Sequence, residues 1–165
     1  IEGPVFETSK KGIKVHSQGY YFNPMNLREL SNANAEFLDR KLKGSNLEGL
    51  GQSFIDAESL YGVNAIFLTG LAIHESNFAQ SRIAQDKNNL FGMGAFDSDP
   101  YNKALTFKTM QDSILFTAGY LSREYLSENG KYYHGYSVYD VNTRYATDQN
   151  WANAIITRIK RHVLN

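Results

Sequence analysis

The nine residues Ala65-Ile66-Phe67-Leu68-Thr69-Gly70-Leu71-Ala72-Ile73 are apolar nearly all round. A helix of that composition has no face to offer water, so it belongs at the centre of a core with other elements around it. Asn64 stands where a side chain caps the first turn. Gly70 in the middle costs about 1 kcal/mol against alanine and points to a close crossing by a second helix. The run then meets His74-Glu75-Ser76, and an acid at that place needs a reason. Burial disfavours the carboxylate and the negative end of the helix dipole repels it, so both effects raise the pKa of Glu75. An acid that keeps its proton near neutral pH can serve as a proton donor to a leaving oxygen. The plainer reading ends the helix one turn earlier and leaves Glu75 in solvent or paired with Arg82.

Around that segment the pattern is mainly helical. Residues 1–25 are punctuated by Gly and Pro and read as an extended lead-in, followed by a single domain over 26–165. Leu27, Leu30, Ala33, Phe37, Leu38 and Leu42 recur at helical spacing, with Ser31 as cap and Gly44 as stop. A second helix is expected from about Asn46 to Tyr61, closed by Gly62. Residues 88–108 lose the helical period and carry Asn, Gly, Asp and Pro, which predicts a β-hairpin lobe after the central helix. Helix returns from Thr109 to about Leu126, briefly from Ser137 to Tyr145, and finally from Asp148 to Val163. The expected class is α+β, mainly helical, with a small β-hairpin lobe.

Composition excludes several chemistries. Seventeen basic side chains balance seventeen acidic ones, so global charge argues for neither nucleic acid nor a membrane surface as partner. There is no cysteine, hence no disulfide framework, thiolate metal site or cysteine nucleophile. His74-Glu75 has the first two letters of a zinc-protease helix, but Phe78 occupies the place of the second ligand. No metal and no cofactor is expected. The chain begins at Ile1 and reads as an excised or processed domain, so any export signal would lie outside it. No stretch approaches the length of a membrane span.

The residues about Glu75 carry a resemblance. Ala72-Ile73-His74-Glu75-Ser76-Asn77-Phe78-Ala79, then Asn88-Asn89-Leu90-Phe91-Gly92-Met93, resembles the signature of family 73 glycoside hydrolases, the glucosaminidase domains of bacterial autolysins. Gly51-Gln52-Ser53-Phe54-Ile55-Asp56-Ala57 with Tyr61-Gly62-Val63-Asn64, Gly94-Ala95-Phe96-Asp97, and Tyr145-Ala146-Thr147-Asp148 with Trp151-Ala152 extend it in the right order. The resemblance implies a lysozyme-like, two-lobed fold whose groove holds a polysaccharide. It also implies a secreted protein, acting as a monomer in the bacterial cell wall. Glu75 matches the family's general acid, and the reaction implied is cleavage of the β-1,4 bond on the reducing side of N-acetylglucosamine in peptidoglycan.

The second catalytic group stays open at this level. Some members carry a Glu on the β lobe, yet no Glu lies between Glu75 and Glu124 here. Asp97 is the first candidate for the base, and the substrate's own acetamido group is the alternative nucleophile. Tyr145 matches a family tyrosine near the centre; it either orients that acetamido group or is a structural side chain. Further candidates for contact with sugar are Ser76, Asn77, Phe78, Asn89, Phe91, Tyr120, Tyr139 and Asp148. Ser76 and Asn77 also fit as helix-end caps, Phe78 and Tyr120 as core, Asn89 as a turn residue and Asp148 as the cap of the last helix. The competing functions are an inactive glycan-binding module and, within the enzyme class, a muramidase or lytic transglycosylase.

Overall fold

A computed structural model describes residues 5–9, 12–17, 19–95 and 98–165, the first two segments as backbone only. Three short strands come first: β1 (Val5–Ser9), β2 (Gly12–Ser17) and β3 (Tyr20–Phe22). Eight helices follow: α1 (Ala35–Leu42), α2 (Gly51–Tyr61), α3 (Ala65–Ser76), α4 (Arg82–Lys87), α5 (Pro100–Lys103), α6 (Met110–Glu124), α7 (Val138–Tyr145) and α8 (Trp151–His162).

The apolar run is the centre of the molecule, as its composition demands. All nine residues from Ala65 to Ile73 are buried in α3, which packs between α2 and α8. The one polar side chain among them, Thr69, returns its hydroxyl to the carbonyl of Ala65 at 2.8 Å. A Cβ on Gly70 would stand 2.3 Å from Cγ1 of Ile159, so the glycine is what lets α8 cross so closely. Asn64 caps α3 as expected, its Oδ1 accepting from Phe67 N at 2.9 Å. Gly62 ends α2 in the left-handed conformation at φ 64, Thr109 caps α6, and Ser137 with Asp140 forms a capping box on α7.

Other expectations give way. The helical spacing from Asn26 does not become helix until Ala35, and the cap is Asn34, which accepts from Phe37 N at 2.8 Å. Longer-range bonds have already claimed the preceding backbone. Asn64 Nδ2 donates to the carbonyls of Tyr21 and Glu29, 3.0 Å each. The buried Glu58 carboxylate accepts from Ser31 N at 2.7 Å and from Ala65 N at 3.0 Å. Arg28 bridges α2 to α6 in the same way, donating to Tyr61 O at 2.7 Å and Ser122 O at 3.0 Å. With those groups spent, residues 26–34 cannot close helical turns, and Leu30 is left 60% exposed. The start of α2 moves in the same direction, from Asn46 to Gly51, whose N–H bonds Asp39 Oδ1 at 2.8 Å.

The β structure is also displaced. Among the described residues of 88–108 there is no strand, only turns and α5. Asn89 explains the difference: its Nδ2 donates to Met93 O and Leu105 O at 2.9 Å, and its Oδ1 accepts from Met93 N at 3.0 Å. One side chain thus closes the turn that a hairpin ladder would have closed. The sheet lies instead in the expected lead-in, an antiparallel meander β1-β2-β3 with Phe6 opposite Val15 and Val15 opposite Phe22. No helix among the described residues is long and apolar enough to cross a membrane.

The crossing of α3 and α8 yields a test. Gly70→Ala gains helix propensity worth about 1 kcal/mol, but overpacks a site already filled by Ile159, at a cost of roughly 1–3 kcal/mol before relaxation. Urea unfolding should show a net loss of stability, and the loss should shrink in an Ile159→Ala background, where Cγ1 and Cδ1 are both gone. A single variant as stable as wild type would mean that α8 shifts there without cost.

Candidate active site

Glu75 sits in the last turn of α3, where the apolar run ends. The chain leaves that turn unusually: Asn77, Phe78 and Ala79 all have positive φ, between 49 and 61. Side-chain residues seldom adopt that region singly, and here three do so in succession. The buried Ser76 holds them, donating to Ala72 O at 2.6 Å and accepting from Ala79 N at 2.9 Å. Such strain gathers at sites where a side chain must be held in one direction. Here it fixes the end of the helix that carries Glu75.

Two forces of opposite sign act on the Glu75 carboxyl. Burial pushes its pKa above the usual carboxylate range, and the indole of Trp151 pulls the other way. That indole donates from Nε1 to Oε1 at 2.7 Å. Trp151 is the first residue of α8 and only 3% exposed. A buried indole N–H has to find an acceptor, and Glu75 supplies it. Asn142 sets the start of α8, its Oδ1 accepting from Ala152 N at 3.0 Å and its Nδ2 donating to Asp148 O at 2.9 Å.

In front of the acid lies a pocket of about 440 Å³. The turn Phe91–Ala95 forms one side, and Tyr120, Tyr125, Tyr145 and Trp151 form an aromatic wall on the other. The wall is continuous. Trp151 lies 5.1 Å from Tyr145 between ring centroids, Tyr145 5.5 Å from Tyr125, and Tyr125 5.9 Å from Tyr120. The Tyr145 hydroxyl points at Met93 Sδ, 3.8 Å away. Burial first, and then the nearby Glu75, hold the Tyr145 phenol well above its ordinary pKa. Burial likewise pushes Tyr125 up to about 12. Both phenols are therefore neutral hydrogen-bond donors at any physiological pH.

Of the residues singled out from sequence, Phe91, Tyr120 and Tyr145 line this pocket with Glu75. Asp97 lies outside the described residues. Ser76 is occupied in the left-handed turn. Asn77 is the C-cap of α3, and Phe78 packs edge-on against His162 at 5.0 Å, away from the pocket. Asn89 is buried and spends its amide on the 89–105 turn. Asp148 does not cap α8, whose cap is Asn150; its Oδ1 accepts from Asn150 N at 2.9 Å. Tyr139 lines a separate pocket of about 600 Å³ on α7. Sequence reasoning missed Trp151 and Tyr125. The chain has one Trp, and an N–H that burial would orphan was the available signal. Among the described residues no cluster of three His, Asp or Glu side chains could hold a metal ion.

Comparison with known proteins bears on this geometry. The family model described as mannosyl-glycoprotein endo-beta-N-acetylglucosaminidase matches residues 51–164. A Streptococcus pneumoniae serotype 4 protein assigned as an endo-beta-N-acetylglucosaminidase is 35% identical over 150 residues. That match covers 86% of this chain and 23% of the relative, so the chain spans less than a quarter of that protein's length. Among solved structures, a catalytic mutant of Staphylococcus aureus autolysin E, with a glutamate replaced by alanine and the disaccharide NAG-NAM bound, is similar at 25% identity. Its TM-score is 0.69, covering 89% of this chain and 72% of the other. The same enzyme in complex with the muropeptide NAM-L-Ala-D-iGlu aligns at 26% identity and TM-score 0.68, covering 84% of this chain and 70% of the other. Since the family model spans residues 51–164, from the start of α2 to just past α8, this chain belongs to the glucosaminidase family of glycoside hydrolases.

Proposed function

We propose that this chain cleaves the β-1,4 bond between N-acetylglucosamine and N-acetylmuramic acid in peptidoglycan, with Glu75 as general acid. The observation that carries the reading is a half-buried carboxyl with one oxygen engaged by an indole N–H and an aromatic pocket in front of it. The structures of autolysin E with NAG-NAM and with a muropeptide support the substrate class: a sugar strand bearing short peptides with free carboxylates. On this reading the pocket is part of a longer groove for the strand, and the protein works in the bacterial wall.

The residues divide the step between them. Oε1 of Glu75 accepts from Trp151, so the acid carries its own hydrogen on Oε2. That proton passes to the glycosidic oxygen as the C1–O bond breaks, and the bonding pair leaves with the oxygen. The positive charge developing at C1 is met directly by a water whose proton goes to a base, Asp97 remaining the sequence's candidate, or by the substrate's acetamido oxygen. In that second case water then opens the C1–O bond of the cyclic cation and gives its proton to the Glu75 carboxylate. Glu75 is left as a carboxylate, and the indole N–H that opposed burial now stabilises its charge. The neutral Tyr145 hydroxyl, beside the acid, donates to the acetamido carbonyl. The half-buried ring of Tyr120 offers a face to the sugars, and the buried rings of Tyr125 and Trp151 back the wall.

Glu75→Gln should lower kcat by at least about 10²-fold, the scale of losing a general acid. The assay is release of reducing ends from purified cell walls. The new ends should be N-acetylglucosamine; N-acetylmuramic ends would reassign the bond.

The same substitution tests the pKa direction through stability. A carboxyl raised on folding weakens the fold as pH rises past its unfolded value and through its folded one, because the buried group must then ionise. Glu75→Gln removes that cost and keeps an acceptor for Trp151. The variant should melt at or above the wild-type temperature at neutral pH, with the advantage fading below about pH 4.

Trp151→Phe takes away the bond that holds the acid's pKa down. The alkaline limb of the kcat profile should move to higher pH while kcat itself falls; an unmoved limb would remove Trp151 from the proton's control. Tyr145→Phe should cost less than Glu75→Gln, about tenfold in kcat at unchanged stability. A rate equal to wild type would return Tyr145 to the packing of the wall.

A further inference from the structure

The larger pocket, about 600 Å³ on α7, is unaccounted for by the chemistry at Glu75. Tyr139 and Thr143 project into it from one side of α7, and Thr147 and Gln149 from the following loop. Ala146 lines this pocket and the Glu75 pocket alike, so the two adjoin. A group branching from a sugar seated beside Glu75 is therefore within reach of it.

Arg144 is the one charged residue in its lining. The guanidinium rests over the Tyr132 ring, 5.4 Å from its centroid, and Lys131 Nζ lies 5.3 Å from the same ring. Among the described residues Arg144 makes no ion pair. The nearby carboxylates are committed to the backbone. Asp140 accepts from Ser137 N at 3.0 Å and from its hydroxyl at 2.7 Å, and Asp148 accepts from Asn150 N. A planar cation held on an aromatic face, with its fork of donors unspent, is suited to a carboxylate. The floor is set in advance, because Asn142 ties the 146–148 loop to α8. Above it Tyr139, 44% exposed, gives the groove an apolar side.

We infer that this pocket is a subsite for the acidic peptide borne by the sugar strand, with Arg144 as the contact for a peptide carboxylate and Tyr139 as the surface along which the peptide lies. The inference rests on the proposed glycosidase reading and adds to it a source of preference among strands. Binding of this kind is equal in ground and transition state, so it acts on KM rather than kcat.

The test uses two substrates, peptide-bearing strands and the same strands stripped of peptide by an amidase, with wild type, Arg144→Gln and Arg144→Lys. The expected result is that Arg144→Gln raises KM for peptide-bearing strands about five- to tenfold more than for stripped ones, the scale of one partly exposed charged contact. Arg144→Lys should keep only part of the preference, because a point charge does not replace the planar fork. Amidation of the peptide carboxylates should reproduce the Arg144→Gln effect on wild-type protein, where no change of fold can intervene. Equal effects of Arg144→Gln on both strands, or indifference of wild type to amidation, overturn the subsite and leave the glycosidase reading intact. If wild type releases reducing ends from neither strand, the glycosidase reading fails and the subsite falls with it.

Discussion

Because α3 can turn no side to water between Ala65 and Ile73, every other element has to be arranged as its cover. α8 achieves this by running close over Gly70, and α2 by ending at Gly62, so that Asn64 can begin α3 at once. The capping bonds of Asn64 and Glu58 then draw residues 21–31 onto the start of α3. What remains uncovered is the end. Glu75 is the first carboxyl past the end of the apolar run. The position of the acid is a consequence of how the core is closed.

On the proposed reading the Glu75 carboxyl is poised between two demands. Burial alone would make it a poor acid, reluctant to give up its proton; exposure would make it a spent one, ionised before the substrate arrives. Trp151 supplies the compromise, with an N–H that favours the ionised form while its ring keeps water away. The tyrosines behind it continue the dry surface without adding charge, since burial holds Tyr145 and Tyr125 neutral. A site of this kind strengthens each polar contact inside it, because little solvent competes.

Much of this was legible in the residues, and the remainder was hidden for identifiable reasons. α3, its cap Asn64, Gly62, Thr109 and the Ser137 box rest on interactions spanning four residues or fewer, which a local reading can reach. So does the isolation of Glu75 at the end of an apolar run. The false helix start at Ser31 has a different origin: Leu27, Leu30 and Ala33 keep helical spacing, while Asn64 and Glu58, some thirty residues on, take the backbone groups a helix would need. Turn residues over 88–108 are the same whether a hairpin ladder or the Asn89 side chain closes the loop. Trp151 was hidden because a buried tryptophan reads as packing, and its acceptor lies 76 residues away in the chain.

Gly70 against Ile159 and Glu75 against Trp151 are two contacts of the same antiparallel helix pair, one purely steric and one polar. They lie about 8 Å apart along α3 at the rise of an α-helix. Any thickening at the first acts as a fulcrum for the second: lifting α8 off Gly70 tilts its opening turn and changes the reach of the indole. Drift in the sequence of this interior would thus be felt as a change in acid strength before it is felt as unfolding. On the proposed reading, the small residue at that crossing serves the chemistry as much as the packing.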